Sequence, residues 1–250
     1  MNAVGTATSS SAPLSGAAAN QRKIQDAIKQ YVLTNGLAPG DPMPTEPELM
    51  AMLKISRNAL REAMKALQAL GFIEIRHGFG TYVGKPNMES LQAGLTFRMQ
   101  RSVAGDLAEV SNLLTVRQAL EIGLAEEVVD HYHSRDLERL ERIVEAMESE
   151  AEVGREFLEH DLAFHMALYE PLDNALVHDL LQVFWRSFHA IDPQLPGPDY
   201  SPADAAGWHR RLVEAIAVGD PVLYADRMRD HFGGVRVRLQ KKTSQRKNSS

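Results

Sequence analysis

Asp161 and His165 stand four residues apart in a segment of helical period, which puts both side chains on one face of a helix. His209 opens a stripe with Leu212, Val213 and Ile216, and His231 lies among Met228, Val235 and Leu239. Three imidazoles and a carboxylate carried by three helices can converge inside a bundle on a divalent cation of the zinc, nickel or manganese class. Spacing alone leaves a second reading open, that of an ordinary hydrogen bond at a surface or in a core. A different chemistry lies upstream. Arg57 and Arg61 are four apart, Lys65 continues their stripe, and Asn58 sits beside them just after Ser56. Arginine bonds guanine O6 and N7 with both arms of its fork, and asparagine does the same with adenine. Donors at the N-terminal end of a helix are placed to enter a major groove, while Ser56, Thr45 and the backbone N–H groups at helix starts suit phosphate oxygens. The alternative is a solvated cationic face on a surface helix.

Elements able to hold these groups can be read from periodicity and punctuation. Ile24, Ala27, Ile28, Tyr31 and Val32 mark a helix that begins at Gln21 and ends at Asn35-Gly36. Three prolines between Leu37 and Pro44 exclude helix there and indicate a turn with extended flanks. Thr45 with Glu48 forms a capping box, and Pro47 falls in the first turn of the helix it opens. Ser56 caps a third helix, which buries Leu60, Ala63, Met64, Leu67 and Leu70 and closes at Gly71. Phe72–Arg76 and Thr81–Val83 read as strands around the turn His77-Gly78-Phe79-Gly80. Three helices and a hairpin in this order make a winged helix-turn-helix. His77, with Arg76 and Lys85 near it, can reach a minor groove or a phosphate from a tip that Gly78 and Gly80 make tight, although a plain turn also explains the glycines.

Beyond Pro86 the chain reads as helical, with the Pro-rich stretch Asp192 to Pro202 as a long loop. Expected helices run from Asp106 to about His131, Ser134 to Glu150, Glu152 to Tyr169, Asp173 to Ala190, Ser201 to Val218 and Asp220 to Gln240, with caps at Ser134, Asp173, Ser201 and Asp220. The fold class is therefore mainly α: a winged helix-turn-helix followed by an antiparallel bundle of six or seven helices. Trp185 and Phe188 are expected in the core. Trp208 is expected off the ligand face, and His131, His133, His160, His178 and His189 in surface or loop positions.

The 250 residues carry a net charge of −6 and no cysteine, which excludes disulfide scaffolds, thiolate metal sites and cysteine nucleophiles. The total conceals an uneven distribution. Residues 20–86 hold nine Lys/Arg against six Asp/Glu, residues 87–239 hold fourteen against twenty-seven with no lysine, and four bases follow Leu239. A basic head and an acidic second half place a domain boundary near Pro86. The expected organisation is a disordered leader over 1–19, a DNA-binding domain over 20–86, an effector-binding and dimerisation domain over 87–239, and a basic flexible tail over 240–250. No stretch reaches the roughly 20 apolar residues of a membrane span. The first twenty residues have neither a basic start nor an apolar core, so no secretory signal is expected and the location expected is cytoplasmic.

Residues 24–83 resemble the DNA-binding domain of the GntR family of bacterial transcription regulators through Pro39-Gly40-Asp41, Pro44-Thr45-Glu46, Ile55-Ser56-Arg57, Leu60-Arg61-Glu62-Ala63, Leu70-Gly71-Phe72-Ile73, Gly78 and Gly80-Thr81-Tyr82-Val83. The resemblance implies a DNA-contacting set of Thr45, Glu46, Ser56, Arg57, Asn58, Arg61, Lys65, His77 and Gly78. Two positions depart from the family pattern, Pro47 and Phe79, where arginine is usual. Their loss implies weaker or more salt-sensitive binding per site, or compensation by another base.

From about Leu107 to Leu239 the chain is similar to the FCD effector domain of the FadR-like subgroup, through Arg117 and Glu121, Asp161 with Phe164-His165, Asp173-Asn174, His209, Ala215-Ile216, Gly219-Asp220, and Met228 with His231. The resemblance implies a bundle metal held by Asp161, His165, His209 and His231, with a carboxylate metabolite completing its coordination. Arg117 and Asn174 are then effector-binding candidates. Arg117 suits a carboxylate by its fork geometry, or else forms an i,i+4 ion pair with Glu121. The implied function is a regulator, with repression relieved by a small organic or sugar acid, that binds a palindromic double-stranded operator as a homodimer and is nucleoid-associated when bound. Two alternatives remain at this point. One is a regulator whose metal is structural or is itself sensed. The other is a helical-bundle metalloenzyme, against which stands the absence of any Glu-x-x-His outside Glu74 and His77 of the hairpin.

Overall fold

The computed structural model describes residues 16–85, 87–133 and 137–247, and the chain divides into two compact units, residues 1–87 and 88–250. The expected cap Ser134 and the leader as far as residue 15 lie outside the described residues.

The first unit is α1 (Gly16–Thr34), α2 (Glu46–Leu53), α3 (Arg57–Ala69), β1 (Ile73–Arg76) and β2 (Gly80–Val83). α1 starts at Gly16, so residues 16–19, expected in a disordered leader, are helical. Ala17, Ala18 and Ala19 are strong helix formers and carry the helix a turn beyond the amphipathic stripe that announces it. Ile24 and Ile28 of α1 pack with Leu49, Leu60, Ala63, Met64, Leu67, Ile73 and Val83 in one small core. The α2–α3 connection is short because Lys54 takes a left-handed conformation (φ 52°) at the end of α2 and Ser56 caps α3 from the Ala59 N–H. β1 and β2 pair antiparallel with Ile73 opposite Val83 and Arg76 opposite Gly80. The proline-rich segment adds to this hairpin, since the Met43 N–H donates to Thr81 O (2.8 Å) and the Val83 N–H to Asp41 O (2.9 Å). Gly84 is required by close approach, because a Cβ there would lie 2.1 Å from the Gly71 carbonyl oxygen.

The second unit holds nine α-helices among the described residues, against six or seven expected. They are α4 (Glu89–Ala104), α5 (Ala108–Gly123), α6 (Ala125–His133), α7 (Glu138–Glu152), α8 (Leu158–Tyr169), α9 (Ala175–His189), α10 (Pro202–Val218), α11 (Pro221–His231) and α12 (Gly233–Lys247). Short 3₁₀ turns at Glu170–Leu172 and Asp192–Gln194 flank α9. The differences from expectation have local causes. One expected helix is α5 and α6, broken at Gly123-Leu124, and another is α11 and α12, broken at Phe232-Gly233. α4 gives no clear periodic signal because Leu91 and Phe97 are exposed while Leu95, Met99 and Val103 turn inward, so its apolar residues mark no single stripe. α8 begins at Leu158 rather than Glu152 because Gly154, at φ 72°, ends α7 in a left-handed turn. Asp173 is itself left-handed (φ 50°), and Asn174 caps α9 in its place by accepting from the Val177 N–H (3.2 Å). Ser201 and Asp220 cap α10 and α11 as expected. Residues 240–247, expected as a flexible tail, are the continuation of α12. One large core, which includes Val110, Leu114, Val144, Phe164, Leu168, Leu212, Ile216, Tyr224 and Met228, joins these helices.

Candidate metal centre and nucleic-acid interface

Asp161 and His165 of α8, His209 of α10 and His231 of α11 each turn one ligand atom toward a common point, and these four atoms lie within 4.8 Å of one another. His209 Nε2 is 2.9 Å from Asp161 Oδ1, and the Nε2 atoms of His165 and His231 are 3.2 Å apart. The other face of two rings is already committed. His209 Nδ1–H donates to the Ala205 carbonyl (2.9 Å), which turns Nε2 toward the cluster. His165 Nδ1 stands 3.1 Å from Glu121 Oε2, an ion-pair distance with the line of the N–H bent away from hydrogen-bond geometry. Such outer partners orient imidazoles for metal binding.

The charge states suit a cation. Burial pushes the His231 imidazole well below its usual value, and the nearby rings of His209 and His165 push the same way, so it is neutral. Burial alone would raise Asp161, but the imidazoles of His189 and His209 outweigh it and hold the carboxyl well below the ordinary range. Three imidazoles and one carboxylate crowded together form a donor set that fits a divalent ion of the borderline class. The group Asp161, His165, His209 and His231 can therefore hold a metal.

Behind the cluster lies a buried network of which spacing reveals only the Arg117 and Glu121 pair. Arg117 Nε donates to Glu121 Oε1 (2.6 Å), the Tyr169 hydroxyl donates to Glu121 Oε2 (3.0 Å), and Tyr169 and Tyr224 hydroxyls meet at 3.2 Å. Burial drives both phenols well up, so they stay protonated as donors. Glu121 is pushed up by its burial and held below its usual value by the stronger pull of Arg117 and His165.

In front of the cluster is a cavity of about 220 Å³. Asp161, His209, His231 and Arg117 line one part of it, and Tyr200, Trp208, Asp192 and Arg238 another. Arg117 pairs with Glu121 and also lines the cavity. Asn174 does not, being the exposed cap of α9 with its side-chain oxygen on Val177 N–H. Trp208, expected off the ligand face, lines the cavity against Tyr200, their ring centroids 4.7 Å apart. His189, expected at a surface or in a loop, also lines it, with Nε2 3.8 Å from Asp161 Oδ2. Trp185 is buried as expected, but its Nε1–H donates to the same oxygen at 3.0 Å. The Trp185 and His189 pair repeats on α9 the four-residue spacing of Asp161 and His165, the one sequence signal that points to it.

On the first unit, Arg57 and Asn58 are exposed in the opening turn of α3 with no bond to another side chain among the described residues. Arg61 stands 3.6 Å from Glu46 of α2, and Lys65 pairs with Glu62 (3.0 Å), both pairs well exposed. Exposed pairs of this kind contribute little and yield readily to a phosphate. The Thr45 hydroxyl donates to Glu48 Oε2 (2.8 Å), and Ser56 Oγ accepts from the Ala59 N–H, so each is engaged as a cap. His77 and Gly78 (φ 81°) occupy the exposed hairpin tip beside Phe79, which is 80% exposed. Arg76 is turned back, paired to Glu74 through two bonds (3.0 and 2.9 Å) and lying over the Tyr82 ring. Among the described residues no helix is long and apolar enough to cross a membrane.

Residues 20–83 match the model of the bacterial regulatory proteins of the gntR family, and residues 112–234 match that of the FCD domain. The HTH-type transcriptional regulator LutR of Bacillus subtilis is 32% identical over 154 residues, a match covering 60% of this chain and 67% of LutR. The Uxu operon transcriptional regulator of Escherichia coli is 28% identical over 245 residues, 90% of each chain. The solved structure of Streptococcus agalactiae GntR superposes with a TM-score of 0.58 at 27% identity, covering 86% of this chain and 98% of that one. These relatives are transcription regulators and not enzymes, and the chain belongs to the GntR family, a DNA-binding winged helix-turn-helix regulator carrying an FCD effector domain.

Proposed function

We propose that this regulator is a repressor whose hold on its operator is set by a small organic or sugar acid bound at a metal-bearing cavity of the second unit. The observation that carries this reading is the group of four ligand atoms, three of whose residues, Asp161, His209 and His231, line a cavity that Arg117 also lines. Asp161, His165, His209 and His231 would hold a divalent ion of the zinc, nickel or manganese class. Bound there, such an ion supplies a Lewis-acid site for the carboxylate of the effector. Arg117 adds a guanidinium beside it, kept in place by Glu121. The cavity is below the roughly 300–1,000 Å³ typical of drug-sized ligands, which favours a small metabolite.

On the DNA side, Arg57, Asn58, Arg61 and Lys65 would read or flank base edges in a major groove. The helix starts at Thr45 and Ser56 and the tip at His77 and Gly78 would take phosphates or a minor groove, with Glu46 steadying Arg61. A homodimer presents two such helices to a palindrome, and the working location is the cytoplasm, on the nucleoid when the operator is bound. The effector shifts the operator equilibrium only by its differential affinity for the two states of the dimer.

The test is thermal shift of zinc-loaded and chelated protein against lactate, citrate and glucuronate, followed by titration of an operator selected in vitro with the best acid present and absent. An acid that raises the melting temperature only in the metal-loaded form and weakens operator binding supports the reading. If no carboxylate shifts the loaded protein, the effector class is wrong. If chelation lowers the melting temperature of the bundle but leaves the acid's affinity for the still-folded protein unchanged, the metal is structural.

A further inference from the structure

Asp161 offers two oxygens, and the structure divides them between two sets of partners. Oδ1 faces the imidazoles, 2.9 Å from His209 Nε2 and 3.7 Å from His165 Nε2. Oδ2 faces α9, where Trp185 Nε1–H donates to it at 3.0 Å and His189 Nε2 stands 3.8 Å away. The indole nitrogen is a donor only, so it holds an oxygen that keeps a lone pair for it. Trp185 is buried and cannot turn its N–H to solvent, and its ring lies against that of His189 with centroids 3.8 Å apart. Neither residue belongs to the four that can hold the ion, and both sit on a helix that supplies none of them.

We propose that Trp185, seated by His189, is the positioning residue of the metal centre: it fixes Asp161 so that Oδ1 alone is presented to the ion and Oδ2 is kept out of the site. The proposal rests on the metal reading above. Its consequence is economy of coordination. A carboxylate free to rotate can clasp a cation with both oxygens and take up room that an incoming carboxylate needs, whereas one pinned at Oδ2 leaves that side of the ion to the cavity. His189 stands at the boundary between the two, lining the cavity while its ring lies against the indole.

The probes are zinc and cobalt(II) on the full-length protein, with Trp185→Phe as the main variant, since phenylalanine keeps an aromatic ring and removes the donor. Metal-free Trp185→Phe should still fold and melt cooperatively, while its zinc affinity falls by about 10–100-fold, the usual loss when an outer partner of a ligand is removed. The visible spectrum of the cobalt form should also change, which a purely structural role would leave alone. A second measurement does not depend on the variant folding. The wild type has two tryptophans, hence two indole N–H resonances, and the one assigned to Trp185 should be slow to exchange and should move on zinc addition. A folded Trp185→Phe with unchanged zinc affinity and cobalt spectrum, or a Trp185 resonance indifferent to zinc, overturns the positioning role and leaves the metal reading standing. If wild type takes up neither ion, both fall.

Discussion

Arg117 and Glu121 are one turn apart on α5 with Nε and Oε1 at 2.6 Å, and their side chains are 7% and 0% exposed. On a helix surface this pair would contribute a few tenths of a kcal/mol. Buried, it changes meaning, because Glu121 also accepts from Tyr169 and faces His165, so removing its charge strands a guanidinium in the interior. Glu121→Gln should cost about 3–5 kcal/mol in urea unfolding of the metal-free protein. A loss below about 1 kcal/mol would mean that water reaches Arg117 in solution.

Much of this architecture is legible in the amino-acid sequence, and the reasons are local. Ser201, Asp220 and Ser56 announce helix starts because caps satisfy orphan N–H groups within a few residues of themselves. Asp161 and His165 are visible as a pair because one helix carries both. What cannot be seen is convergence between helices. That His209 and His231 meet them follows from packing around Phe164, Leu212 and Met228, and in the sequence only the family resemblance points to it. Trp185 hides for the opposite reason, since an indole on an apolar face reads as core, and it is core as well as donor. Asn174 is the converse case, a position matched by motif whose side-chain oxygen serves as a helix cap.

Replacing His209 and His231 together by alanine should abolish bound metal, because the remaining carboxylate and imidazole are too few for a site that needs about four ligands. Elemental analysis after desalting should give well under a tenth of an equivalent of metal per chain, against roughly one for wild type. Unchanged metal content in the double variant would place the ion elsewhere.

Glu148 and Arg210 tie α7 to α10 through two bonds of 2.9 and 2.6 Å and are partly exposed, Arg210 being the residue after His209 with its side chain turned to α7. The hydrogen bond from Arg210 is the largest influence on Glu148 and lowers its pKa against a smaller effect of burial. A carboxyl whose folded pKa is depressed adds stability that is fully present above its unfolded value and is lost as pH falls through the folded one. After solvent screening the pair should contribute no more than about 1 kcal/mol. Glu148→Gln should lower stability by that amount at pH 7, and its deficit should close as pH is taken below about 4. A deficit that persists at low pH would assign the effect to packing.

Pro47 is exposed in the first turn of α2, where the family pattern has arginine. A missing phosphate contact costs affinity, but through counterion release it makes the salt dependence shallower, which corrects the more salt-sensitive binding expected above. Pro47→Arg should tighten operator binding and make the slope of log K against log salt more negative by about 0.9. Titrations at several salt concentrations decide it, and parallel lines for the two proteins would show that another base already fills the place.

Gly234 opens α12 where a Cβ would lie 2.5 Å from Tyr200 Cε1 and 2.8 Å from Trp208 Cη2. These two rings line the cavity at a distance in sequence from three of its four metal ligands, and Trp208 is the residue before His209. Alanine at 234 should therefore act on the cavity before it acts on the fold. Overpacking costs about 1–3 kcal/mol, and the better helix propensity of alanine returns up to about 1 kcal/mol of it. Gly234→Ala should leave zinc affinity within about threefold of wild type while weakening the most effective acid from the thermal-shift series by tenfold or more, a difference of about 1.4 kcal/mol. Calorimetry of the zinc-loaded variant with that acid measures both. If acid affinity is untouched while the rings are crowded, the effector does not use the Tyr200 and Trp208 wall, and its contacts are confined to Arg117 and the metal ligands.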